Sequence, residues 1–224
     1  MRPPVANVDK LFIISSHNTP APNTLAIDTL CIIAEENSIE PVIIFNKADL
    51  GSLDGFRDIY AGAGYSCIVA SAKTGGNCEL IKPLISGISV FTGNSGVGKS
   101  SLLNAVFPDF SLKTGEISEK LGRGKHTTRE VELFKVGNAY IADTPGFSSM
   151  TAERVINSSK DKLDYLFIEF RNYLGKCKFK SCVHIGEKGC AVKEAVDNGS
   201  VAVSRYQNYR TLFQEIKDRK EWEK

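Results

Sequence analysis

The chain has 224 residues, 42% apolar and 24% charged, with a net charge of +2. That is enough for one large domain or a domain with an appendage, built around an ordinary core. Apolar runs such as Leu11-Phe12-Ile13-Ile14 and Val42-Ile43-Ile44-Phe45 are strand length, well short of the roughly 18 residues of a membrane span, and no basic-apolar-small leader opens the chain, so a cytosolic protein without membrane contact is expected.

Lys10–Ser15 predicts a strand, and Asn23–Glu36 a helix with apolar Leu25, Ile27, Leu30, Ile32 and Ile33. Pro41–Phe45 is continuously apolar, as in a parallel strand buried on both faces. A helix over Leu53–Ala61, a strand over Tyr65–Ala70, a short helix over Asn77–Leu84 and a strand over Ile88–Thr92 follow. Lys99–Phe107 should be helical, and residues 111–129, polar and weakly patterned, a long mobile loop. Strands Glu130–Lys135 and Ala139–Ala142 meet at Val136-Gly137-Asn138. Alternating β and α at this spacing predicts a doubly wound, mostly parallel sheet. Beyond about residue 150 the texture changes: a helix over Asp161–Leu174, a cysteine-rich loop, and helices over Cys190–Asn198 and Ser204–Trp222. Two units are expected, 1–150 and 151–224. The second carries 15 Lys and Arg against 11 Asp and Glu, compatible with nucleic-acid contact and equally with a solvated helical surface.

Gly93-Asn94-Ser95-Gly96-Val97-Gly98-Lys99-Ser100 fits the phosphate-loop pattern G-x-x-x-x-G-K-[ST], between a predicted strand and a predicted helix. Its glycines let backbone N–H groups wrap phosphates at a helix N-terminus. Lys99 would bridge β- and γ-phosphate oxygens and serve catalysis, and Ser100 would ligate Mg²⁺; Ser101 adjoins them. Asn46-Lys47-Ala48-Asp49, with Leu50 beyond, ends an earlier strand. The Asp49 carboxylate can accept from N1–H and the 2-amino group of guanine, donors adenine lacks there. Ser71-Ala72-Lys73 could offer a backbone N–H to guanine O6. Asp143-Thr144-Pro145-Gly146 closes the set, with Asp143 toward Mg²⁺, through water, and the Gly146 N–H toward the γ-phosphate. In the usual order of GTP-binding domains the phosphate loop comes first. Here the base-reading motif precedes it.

Six cysteines in a cytosolic chain are not a disulfide framework. Cys31, Cys67 and Cys78 are scattered, and the first two read as buried structural thiols. Cys177, Cys182, His184 and Cys190 lie within fourteen residues. Three thiolates and an imidazole complete a closed tetrahedral shell, the structural kind of zinc site; the plain alternative is a set of reduced surface thiols beside a passing histidine. Arg171, Lys176, Lys178 and Lys180 crowd the entry to this loop, a face for phosphates or for solvent.

These residues resemble the guanine-binding motifs of Ras-like GTPases in circularly permuted order. With the C-x4-C-x-H-x5-C loop behind them, with Gly93 to Leu102 matching G-x-S-G-V-G-K-S-S-L and Gly122 to Thr128 matching G-R-x-x-H-T-T, the chain is similar to the family of ribosome small subunit-dependent GTPases called RsgA or YjeQ. The resemblance runs from Arg2-Pro3-x-x-Ala6-Asn7-Val8-Asp9 to the closing helix that starts near Arg205-Tyr206. It implies a circularly permuted P-loop GTPase domain followed by a small α-helical zinc-binding subdomain. It also implies a late-acting maturation factor of the small ribosomal subunit, stimulated by that subunit and touching its rRNA, with GTP/GDP, Mg²⁺ and one Zn²⁺ bound. A monomer is expected. The family's usual OB-fold domain ahead of the GTPase domain is not expected in this chain. Ras-like enzymes place a Gln after D-x-x-G to orient water; here Phe147 stands there. His126 is the candidate in its stead, open against a solvent-exposed loop histidine on residue type alone, with Thr128, or its neighbour Thr127, completing Mg²⁺ coordination. Two other readings are an RNA-binding module using nucleotide only as a docking switch, and a P-loop ATPase or kinase.

Overall fold

The computed structural model describes residues 7–108, 132–143 and 162–217. Strands β1 (Lys10–Ser16), β2 (Glu40–Asn46), β3 (Ser66–Val69), β4 (Ile88–Thr92), β5 (Glu132–Val136) and β6 (Ala139–Asp143) form one sheet in the order β3-β2-β1-β4-β6-β5. Every neighbouring pair is parallel except β5 with β6, whose hairpin turns at Gly137-Asn138.

Side chains alternate across the sheet with period two. Leu11, Ile13, Ile43, Phe45, Val90 and Ala142 pack toward α1 (Thr24–Glu36) and α2 (Asp54–Ala63). Phe12, Ile14, Val42, Ile44, Phe91 and Ile141 pack toward α3 (Lys99–Val106). Both faces are covered, which is why the strands are continuously apolar. Phe12 and Phe91, in register on adjacent strands, stack at 4.4 Å. The Asn23 side chain caps α1 by accepting from the Ala26 N–H, and Gly64, at φ 106, ends α2.

Two predicted helices resolve differently. Asn77–Leu84 forms two 3-10 turns, Cys78–Leu80 and Lys82–Leu84. Asn77 enters in the left-handed region and Pro83 has no N–H to continue an α ladder. Asp161–Leu174 is not one helix over its described part: α4 (Leu163–Leu166) stops at Phe167, which is extended, and a 3-10 turn follows over Ile168–Asn172. The break turns Glu169 inward, where it meets Arg205. After the cysteine loop come α5 (Ala191–Asp197) and α6 (Val203–Lys217).

A third core joins Ile32 and Ile33 on the outer face of α1 to Leu163, Phe167, Phe170, Val192, Tyr209 and Leu212. At its centre Arg205 is 1% exposed. It grips Glu169 with two hydrogen bonds, 2.7 and 2.8 Å, and Asp28 of α1 with a third, 2.7 Å. Asn208 donates to the other Asp28 oxygen at 2.7 Å. The rings of Phe167, Tyr65 and Tyr60 surround the guanidinium at 4.8–5.5 Å. Removing Arg205 would strand two buried carboxylates, a loss of about 3–5 kcal/mol. No helix among the described residues is long and apolar enough to cross a membrane.

Candidate functional site

The parallel strands end on one edge of the sheet, where open α/β sheets take ligands. Asn46 is the last residue of β2, Ser71 follows β3, Gly93 follows β4, and Asp143 ends β6 in register with Phe91, two residues before Gly93. Motifs far apart in the chain therefore meet. The Asn46 amide donates to the Val97 carbonyl at 2.9 Å, and its oxygen accepts from the Ala72 N–H at 3.0 Å. With both ends engaged and the residue buried, Asn46 straps the phosphate loop to the Ser71-Ala72-Lys73 loop.

Lys47, left-handed at φ 64, sends its ammonium across the phosphate loop to the carbonyls of Gly96 at 2.6 Å and Thr19 at 3.1 Å. The Asp49 Oδ1 accepts from the Ser71 hydroxyl at 2.7 Å, and the Lys73 ammonium lies 3.7 Å from its other oxygen. The Ser71 hydrogen bond, with help from Lys73, outweighs partial burial and holds the Asp49 carboxyl below its ordinary range. An ionised, pre-oriented carboxylate is what two guanine donors require. Leu50 beside it is exposed.

Val97 is buried and anchors the phosphate loop in the core, while Asn94, Ser95 and Gly96 are exposed. Gly98 caps α3 at φ 89, and a Cβ there would lie 2.5 Å from the Asn46 amide nitrogen. A Cβ on Gly93 would lie 2.5 Å from the Ile14 carbonyl. Only glycine lets the loop approach so closely. Lys99, Ser100 and Ser101 begin α3 and so stand at a helix N-terminus, which favours anions. His126, Thr127, Thr128, Gly146, Phe147 and the side chain of Asp143 lie outside the described residues.

The second cluster is the cysteine loop. His184 Nδ1 stands 3.5 Å from Cys177 Sγ, 3.6 Å from Cys182 Sγ and 3.4 Å from Cys190 Sγ. All four ligand atoms lie within 4.8 Å of one another. Metal–sulfur bonds of about 2.3 Å and metal–nitrogen bonds of about 2.0 Å at tetrahedral angles give sulfur–nitrogen edges of roughly 3.5 Å. The four residues fit a metal and leave no fifth ligand position among them. His184 Nε2 faces an Asp164 oxygen at 3.5 Å, the usual carboxylate behind a ligating imidazole. The Ala191 N–H points at Cys177 Sγ, and Glu187 gathers the N–H groups of Val183, Ile185 and Gly186. Burial pushes the Glu187 carboxyl up, but these N–H groups prevail and hold it at about 2.

Sequence reasoning brought Cys177, Cys182, His184 and Cys190 together and placed Asn46, Ser71 and Gly93 at one edge. It missed Asp164 and the Arg205–Asp28–Glu169 cluster. An arginine in a highly charged helix reads as solvated; the only signal was Asp28 on the apolar face of a predicted helix.

Residues 1–153 match the family described as RsgA GTPase. The small ribosomal subunit biogenesis GTPase RsgA of Bacillus pumilus is 42% identical over 228 residues, covering 98% of this chain and 76% of that protein. Its namesake in Caldanaerobacter subterraneus subsp. tengcongensis is 42% identical over 224 residues, covering 98% and 75%. Among solved structures, YjeQ from Thermotoga maritima superposes with a TM-score of 0.79 at 38% identity, over 96% of this chain and 74% of that one. YloQ, described as a circularly permuted GTPase, gives 0.76 at 34% identity, over 96% and 70%. With its base-reading motif ahead of its phosphate loop and both on one sheet edge, the chain belongs to the RsgA GTPase family.

Proposed function

We propose that this chain binds GTP at the β-strand edge, hydrolyses it to GDP and phosphate, and acts in the cytoplasm, as a monomer, in late maturation of the small ribosomal subunit, which stimulates the hydrolysis. The observation that carries the reading is the Asn46 strap, which joins the phosphate loop to the Ser71-Ala72-Lys73 loop, whose Ser71 in turn holds the Asp49 carboxylate, across a permuted chain. Asp49 and the Ala72 loop read the base. The loop from Asn94 to Ser101 cradles the phosphates, with Lys99 on the β- and γ-oxygens and the Gly146 N–H on the γ-phosphate. Ser100, Thr128 and Asp143 would hold Mg²⁺, which neutralises charge on the phosphates when bound. His126 orients the attacking water. Cys177, Cys182, His184 and Cys190 hold one structural Zn²⁺. The chain divides near residue 150 into a GTPase domain and a helical metal-binding domain that contacts rRNA.

The test is single-turnover GTP hydrolysis with and without purified small subunits, against ATP as competitor. Stimulated turnover specific for GTP is expected. Nucleotide-dependent subunit binding without turnover would replace the enzyme by a docking switch. An unchanged stimulated rate in His126→Ala would remove His126 from its role.

A further inference from the structure

One helix touches both α1 and the cysteine loop. Arg205 and Asn208 of α6 hold Asp28 of α1. Tyr206 and Tyr209, the next residue after each, hold the cysteine loop: Tyr206 donates to the His184 carbonyl at 2.7 Å and Tyr209 to the Val183 carbonyl at 2.8 Å. Spacings of three residues put each pair on one helical face. Asp28 lies one turn along α1 from Thr24, whose carbonyl accepts from Tyr60 at the start of the helix. The loop entering α1 is tied twice. Ser16 donates to the Pro20 carbonyl at 3.0 Å, and Lys47 bridges the carbonyls of Thr19 and Gly96. Hydrogen bonds and buried packing thus run from the cysteine loop through α6 to α1, and the partly exposed backbone of residues 17–24, tied by Ser16 and Lys47, carries the connection on to the phosphate loop.

We propose that α6 is a positioning element of the nucleotide site: Arg205 and Asn208 fix α1, and with it the loop that Lys47 fastens to Gly96. Arg205 is suited to this because its planar fork holds two carboxylates from different segments at once, and a buried ion cluster tolerates few alternative geometries. The C-terminal elements then do not swing on the end of β6. They are fixed to α1, and whatever presses on the cysteine loop acts on the phosphate loop through α6. This rests on the reading of Gly93–Ser101 as a phosphate site.

The experiment titrates a fluorescent GDP analogue into the full, metal-loaded chain and into Arg205→Lys and Asn208→Ala, well below their melting temperatures and with metal content measured. Coupling between distant sites spans roughly 5- to 150-fold, and a loss of affinity of at least about fivefold is expected for Arg205→Lys. Asn208→Ala leaves the arginine cluster in place and should weaken binding less, by about threefold or more; it carries the test if Arg205→Lys does not fold. A residue that only stabilised the fold would lower the melting temperature and leave the affinity of the folded chain unchanged, so affinities within twofold of wild type overturn the proposal. The double variant Tyr206→Phe/Tyr209→Phe keeps the packing and cuts the two links to the cysteine loop. It should keep basal hydrolysis and lose at least about fivefold of the stimulation by small subunits; full stimulation overturns this half of the proposal. Wild type that binds no GDP sinks the nucleotide reading, and this inference with it.

Discussion

Asn46 is a short side chain with two obligations. Its amide must satisfy the buried Val97 carbonyl and its oxygen the Ala72 N–H, 51 and 26 residues away. Asn46→Ala leaves both backbone groups without partners, each costing about 1–3 kcal/mol. Chemical denaturation should show that loss, and GDP binding should fall with it, because the two loops are no longer held in register. Unaltered stability and affinity would contradict the strap. Asp49→Asn tests the base directly: it turns one acceptor into a donor, so GTP affinity should drop while xanthosine nucleotides gain. Glu187 answers to pH. Its folded carboxyl sits near 2 against an ordinary 4.5, so the stability it contributes is complete above about 4.5 and is lost as the pH falls toward 2. Glu187→Gln should therefore be less stable than wild type at pH 6, and the gap should narrow by more than half at pH 3. A gap of equal size at both values would show that the N–H contacts of Glu187 carry no net stabilisation.

At the level of elements, the phosphate loop is a backbone shape that only certain residues permit. Gly98→Ala forces a Cβ onto a residue at φ 89, within 2.5 Å of the Asn46 amide. Nucleotide affinity is expected to fall at least tenfold while the far-UV circular dichroism of the sheet persists; a Gly98→Ala chain that binds GDP like wild type would show that the loop can relax. The same loop was legible in the sequence because its glycines are there for the backbone, and the backbone's need is local. The strands were legible for a similar reason, since burial on both faces leaves continuous apolar runs such as Val42-Ile43-Ile44-Phe45. What could not be read is what depends on a partner distant in the chain. The break at Phe167 follows from Glu169 reaching Arg205, 36 residues on, and nothing in the segment Leu163 to Leu174 signals it. Asn46 was recognised by its motif, but its strap to Val97 belongs to the folded loops rather than to either sequence segment.

The whole molecule has two sources of order. The sheet is held by two apolar cores of its own, whereas the C-terminal elements share a third core with α1 and surround a loop that is mostly Lys, Cys and Gly. From Gly175 to Cys190 that loop buries His184 and Cys190 and little else, so its order rests on Glu187, on Tyr206 and Tyr209, and on the metal that its three cysteines and His184 would hold. A structural zinc site in a small peptide is worth about 10–16 kcal/mol, as much as the roughly 5–15 kcal/mol that stabilises a typical domain. Stripping the metal with a chelator should therefore unfold the cysteine loop and loosen α5 and α6, while β1, β2 and β4 stay folded. Hydrogen exchange reads this by segment: protection should vanish over residues 177–190, fall over 191–217 and persist in the central strands. Because Arg205 ties α6 to Asp28, partial loss of protection should also spread to the first turns of α1 and reach no farther into the sheet. Protection over 177–190 that survives complete metal removal would mean that the tyrosines and Glu187 suffice, and that the cysteines are not the brace of this part of the fold.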